Sequence, residues 1–212
     1  TLKRAGQQGI VGVAHKSPSA TDPDAPAFVV LSSILSSGKN SRFYKNITDK
    51  GLTTSVYIWD SLFRDPGLFT VYANLSPDVD HKTVEKAIVD EYEKIKKDGV
   101  TEEEVKKAQA QLVASMKFSQ DGSYAIASGL NEAIASGDWT LYTTYGERIK
   151  AVTKEDIKRV VNKYFLEDLS TVGYFIPLGS GEQGEKSATS AKQLEKMKIK
   201  NFTTEEEVLS SK

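Results

Sequence analysis

The chain has 212 residues, 39% of them apolar, enough for one large domain or two small ones with a sizeable core. Its 28 basic and 29 acidic residues nearly cancel, so net charge gives no reason to expect a nucleic acid or an anionic membrane as partner. There is no cysteine, which excludes disulfides, cysteine-ligated zinc and thiol nucleophiles. No apolar run approaches the roughly 20 residues of a membrane span. The chain begins at Thr1 without Met and runs almost directly into a strand pattern. It therefore reads as a piece of a longer protein, with any targeting signal upstream.

In chain order, "GIVGVAH" (Gly9–His15) is short, apolar and partly β-branched, and predicts a buried strand. "SPSATDPDAP" is turn-rich and ends in a helix start, with Asp24 placed to cap and Pro26 in the first turn. Phe28, Leu31 and Leu35 then share a helical face, and Gly38 ends the helix. Asn40 or Ser41 is placed to cap a second short helix, in which Phe43 and Ile47 share a face before Gly51 closes it. "LTTSVYIWDS" and "LFTVYANL" predict two strands joined across the turn "RDPG", an antiparallel pair.

The middle of the chain is helical. Val84, Ile88, Tyr92 and Ile95 keep one face behind an Asp80 cap. "TEEE" (Thr101–Glu104) has the form of a capping box, followed by a stripe of Val105, Ala108, Leu112 and Met116. Two more helices follow, the second with Asp138 as its expected cap. "TKEDIKRVVNKYF" repeats the capping logic, with Ile157, Val160 and Tyr164 facing in. "STVGYFIP" is a closing strand with Val172, Tyr174 and Ile176 on one face. Strand, helices, two strands, helices, strand is not the alternation of a parallel α/β sheet. It predicts an α+β fold, a mostly antiparallel sheet with helices packed on one face. The domain is expected over residues 1–178. The polar segment 179–212 is expected to be an extended or partly disordered tail.

The residues assemble no catalytic constellation. His15 and His81 are the only histidines and stand in neither H-E-x-x-H nor H-x-x-E-H spacing. There is no G-x-S-x-G elbow and no Walker-type loop. The glutamate run 102–104 sits at a helix start, where the macrodipole favours it.

The run "TDPDAPAFVVLSSILSSGKNSRFYKNITDKGLTTSV" carries an ordered set: L-x-x-I-L-x-x-G, S-R-[LF]-Y, then K-G-L-x-x-S-V. With "DGVTEEEVKKAQAQL" and "VTKEDIKRVVNKYF" it resembles the C-terminal homologous domain of insulinase/pitrilysin-type zinc metallopeptidases, in the bacterial processing-protease branch. The resemblance runs from about Gly9 to Pro177. It implies a domain of the processing-peptidase or LuxS-like metallohydrolase type that forms one wall of a peptide chamber. Zinc and the H-x-x-E-H helix would belong to an upstream domain of the same protein, so no metal ligand and no catalytic residue is expected here. Some family members carry an Arg/Tyr pair in this domain. Counted back from G-L-x-x-S-V, those positions fall on Ile47 and Thr54. The resemblance is therefore to the zinc-carrying subunit type, whose partner subunit supplies the pair.

Arg42 and Tyr44 match the structural S-R-[LF]-Y segment and are expected to pin a short helix. The strand Leu52–Asp60 is expected to face the chamber, with Thr54 and Tyr57 as substrate-binding contacts to a peptide. The bacterial branch points to the cell envelope, with neither nucleic acid nor membrane as a partner of this domain. The alternative is a non-catalytic scaffold or assembly subunit of the same fold. An intact upstream H-x-x-E-H would separate the two.

Overall fold

The computed structural model describes residues 1–60 and 62–178. The expected tail 179–212 lies outside the described residues. The chain divides into a main body, Thr1–Leu2 with Gln8–Ile176, and a second unit, Lys3–Gln7 with Pro177–Lys212. In the second unit, the short strand β1 (Leu2–Ala5, its first residue in the main body) is exposed along its length.

In the main body, β2 (Ile10–Ser17) pairs antiparallel with both β4 (Gly67–Leu75) and β5 (Ser170–Leu178). β3 (Thr53–Asp60) pairs antiparallel with β4 on its other side. The expected antiparallel pair thus joins the first and last strands of the main body in one sheet, ordered β5-β2-β4-β3. The alternation in β2 and β4 explains which face is covered. Val11, Val13 and His15 point with Phe69, Val71, Ala73 and Leu75 into the core, each 3% exposed or less.

Helices close that face. α1 (Ala25–Ser36) buries Phe28, Leu31 and Leu35 completely, as their spacing predicts. α2 (His81–Asp98) buries Val84, Ile88, Tyr92 and Ile95. Its Asp80 accepts the Thr83 N–H at 3.2 Å. α3 (Glu102–Phe118) and α6 (Lys154–Tyr164) begin in full capping boxes, Thr101 with Glu104 and Thr153 with Asp156. α4 (Ser123–Ala135) and α5 (Leu141–Lys150) contribute a small cluster of Ala20, Ala133 and Leu141.

Two expected caps are corrected. Asp24 makes no capping bond to α1. Its carboxylate, 6% exposed, instead takes Arg159 Nη1 at 2.6 Å, Lys163 Nζ at 2.8 Å and the Tyr164 hydroxyl at 3.0 Å. Charged donors on α6 outbid a lone backbone N–H, and the residue staples α1 to α6. Asp138 likewise does not cap α5, because the helix starts one turn later. It accepts instead from the Thr140 N–H and hydroxyl, at 2.9 and 2.7 Å.

Candidate functional site

Two glycines and a strand irregularity build the cleft where the sequence places its first candidate. α1 stops where Gly38 takes φ 73°, a conformation that costs a side-chain-bearing residue strain. Ser41 does not cap the next helix through its side chain. Its hydroxyl donates back to the Gly38 carbonyl at 2.7 Å. The short helix that follows is a π-helical turn, Tyr44–Thr48, closed by Asp49 N–H to the Tyr44 carbonyl at 2.7 Å. Such turns are rare and recur at functional sites. Gly51, at φ 76°, then reverses the chain into β3.

β3 enters with a bulge. Thr53 pairs with Leu75 and Ser55 with Asn74, so Thr54 is the extra residue with no partner across the ladder. Its side chain is held from outside the strand. Gln8 Nε2 donates to Thr54 Oγ1 at 2.6 Å and to the Leu75 carbonyl at 2.8 Å. Thr54 lines a cleft of about 270 Å³ with Ser36, Lys39, Tyr44, Thr48 and Ser55. The sequence has no signal for this bulge, so the company Thr54 keeps was not readable in advance.

Tyr57 lies elsewhere. It stands on the sheet face opposite the helices, stacked on Tyr72 at 5.3 Å between ring centroids. Tyr57 is 47% exposed, Trp59 63%, and Leu68 52%. The helices of the main body form their core with the other face, that of Val11, Val13, Phe69 and Val71. Thr54 and Tyr57 therefore share a strand but not a pocket.

Arg42 is a pin. Its guanidinium forks onto Glu104, Nε to Oε1 at 2.7 Å and Nη2 to Oε2 at 2.8 Å, and reaches the Gly99 carbonyl at 3.3 Å. The Glu104 hydrogen bond raises the Arg42 pKa. Burial pushes Glu104 up, but Arg42 and the Thr101 cap outweigh it and hold the carboxyl below the ordinary range. Phe43 and Ile47 are fully buried, so Ile47 presents nothing to a peptide.

The histidines do not fit a zinc site. His15 is wedged between Phe165 and Tyr92 in the core. Burial, then the nearby Lys96, lowers its pKa to about 4. His81 Nε2 lies 2.8 Å from the Phe175 carbonyl. Among the described residues no three His, Cys, Asp or Glu side chains gather to hold a metal ion. No helix among the described residues is long and apolar enough to cross a membrane.

The chain is 30% identical over 161 residues to an uncharacterised zinc protease of Streptomyces coelicolor, covering 75% of this chain and 35% of that protein. It is 26% identical over 168 residues to the zinc protease PqqE of Helicobacter pylori, covering 79% and 38%. It thus spans little more than a third of the length of these curated relatives. The fold matches a solved protease from Helicobacter pylori with TM-score 0.77 at 24% identity, covering 82% of this chain and 44% of that one. It also matches a peptidase M16 inactive domain from Pseudomonas fluorescens with TM-score 0.69 at 20% identity, covering 84% and 42%. A family model described as the peptidase M16 inactive domain matches residues 1–112, more than half of the chain, and the chain belongs to that family.

Proposed function

We propose that this chain is the non-zinc-binding C-terminal domain of a zinc metalloendopeptidase, inactive alone, whose uncovered sheet face walls a peptide chamber. The single observation that carries the reading is that face. An antiparallel sheet sealed by helices on one side leaves Tyr57, Trp59, Tyr72 and Leu68 at least 36% exposed on the other. A contiguous apolar and aromatic surface of this kind marks an interaction site. In this reading Thr54 and Tyr57 contact the peptide. Zinc sits in an upstream domain of the same protein, and a partner subunit contributes the Arg/Tyr pair.

The test uses the longer protein that carries this domain with its upstream portion. A photoreactive benzoylphenylalanine replaces Tyr57 in one variant and Tyr124, 86% exposed on α4, in another. A bound peptide substrate is expected to crosslink at position 57 and not at 124. Equal labelling at both positions, or labelling at 124 alone, overturns the reading.

A further inference from the structure

The cleft around Thr54 has a chemistry of its own. The described residues that line it include no Asp and no Glu, and Lys39 adds a cation to them. Lys39 is exposed and makes no ion pair among the described residues. Several hydroxyls face inward, and their hydrogen bonds leave donors over. Tyr44 lines the cleft and its phenol has no hydrogen-bond partner among the described residues. Ser55 Oγ accepts from Asn74 Nδ2 at 2.8 Å, which leaves its own proton uncommitted. Thr54 accepts from Gln8, and its own donation to the Asn74 carbonyl is long, at 3.4 Å.

One feature opposes an anion here, the carbonyl end of α1. Three carbonyls at or just beyond that end accept local donors. Ser36 Oγ takes the Ser32 carbonyl at 3.0 Å, the Ser37 N–H takes that of Ser33 at 3.0 Å, and Ser41 Oγ takes that of Gly38. What remains among the described residues is a cleft with one ammonium and surplus O–H donors but no carboxylate, the complement of a carboxylate ligand.

We infer that this cleft seats a carboxylate of a bound peptide, either an Asp or Glu side chain or a C-terminal carboxylate. That the ligand is a peptide rests on the chamber-wall reading; that it is a carboxylate rests on the cleft. Lys39 faces the anion, and the Tyr44 and Ser55 hydroxyls donate to it. Thr54, freed from the ladder by the bulge, lines the wall beside them.

Amide spectra of the 15N-labelled chain, titrated with capped peptides, test this. Acetyl-Gly-Gly-Asp-Gly-amide is compared with its Asn analogue, and acetyl-Gly-Gly-Gly free acid with its amide. The acids are expected to shift Tyr44, Thr48, Thr54 and Ser55 and to bind at least fivefold more tightly than the neutral analogues. The more tightly bound of the two acids identifies the source of the carboxylate. Lys39→Met and Tyr44→Phe are each expected to weaken acid binding at least fivefold with an unchanged Tm, since Lys39 is exposed. Equal binding of acid and neutral peptides, or an unaltered Lys39→Met, overturns the carboxylate seat. If neutral peptides still shift Thr54 and Tyr57, the chamber wall survives that failure. No shift with any peptide also overturns the seat, while crosslinking at position 57 in the longer protein decides the wall separately.

Discussion

Two aspartates with buried carboxylates have opposite fates. Asp24, at the start of α1, is buried and holds three donors from α6. Burial pushes its carboxyl up, but Lys163, Arg159 and Tyr164 pull harder and keep it below the ordinary range. Asp60, at the end of β3, has both carboxylate oxygens buried with no hydrogen-bond partner among the described residues. Burial alone carries it from 3.8 to about 7. Tyr145 nearby is in the same condition, its hydroxyl buried and unpartnered among the described residues. The one aspartate is a seam of the fold. The other is a place where the fold is held against its own interest, because ionising an unpaired buried acid is costly.

The largest expected effect is therefore at Asp60. Between about pH 4 and pH 7 the native state keeps a proton there that the unfolded chain has lost. Stability falls as pH rises through that window, and the loss is complete above about 7. Asp60→Asn removes the titration. The difference in unfolding free energy between variant and wild type should move in favour of Asn by up to about 4 kcal/mol from pH 4 to pH 8. Urea unfolding at both pH values measures it, and a gap that does not change with pH would show that Asp60 finds a partner in solution.

Asp24→Asn should do the reverse. It loses charge-assisted bonds to α6 and is expected to cost about 2–3 kcal/mol at pH 7. Because the folded carboxyl lies low, its stabilisation is present above about pH 4 and is lost as pH falls through the folded value. The variant and wild type should converge in acid, where the Asp60 pair also loses its difference. The two curves of stability against pH thus carry opposite slopes in different windows, which no single buried-acid rule would produce.

How much of this was legible depended on whether the determinant was local. Period and caps are local, so the stripes of α2 and the capping boxes at Thr101 and Thr153 were read correctly from a few residues each. The positive-φ stops at Gly38 and Gly51 were readable for the same reason. The local pattern points Asp24 to a cap, but its partners arrive from 135 to 140 residues away and outcompete it. Asp60 reads as an ordinary polar end to a strand, and the residues beside it, Val29 and Ser36 of α1 and Leu112 of α3, arrive from elsewhere in the chain. At the site, the strand carrying Thr54 and Tyr57 was found, but the bulge that turns Thr54 toward Lys39 and Tyr44 leaves no mark on composition.

The smallest effect belongs to the pin that Arg42 makes on α3. Arg42 and Glu104 are 18% and 30% exposed, and Glu104 also serves the Thr101 cap. A double-mutant cycle of Arg42→Met and Glu104→Gln is expected to give a coupling energy of about 1 kcal/mol, since partly exposed ion pairs are screened and a forked geometry recovers some of the loss. Arg42 points to α3 and does not line the cleft. Arg42→Met should therefore lower Tm slightly while leaving acid-peptide binding within twofold of wild type. A variant that kept its stability and lost the peptide would move Arg42 from the seam to the site, and would make the guanidinium, not Lys39, the cation that meets the carboxylate.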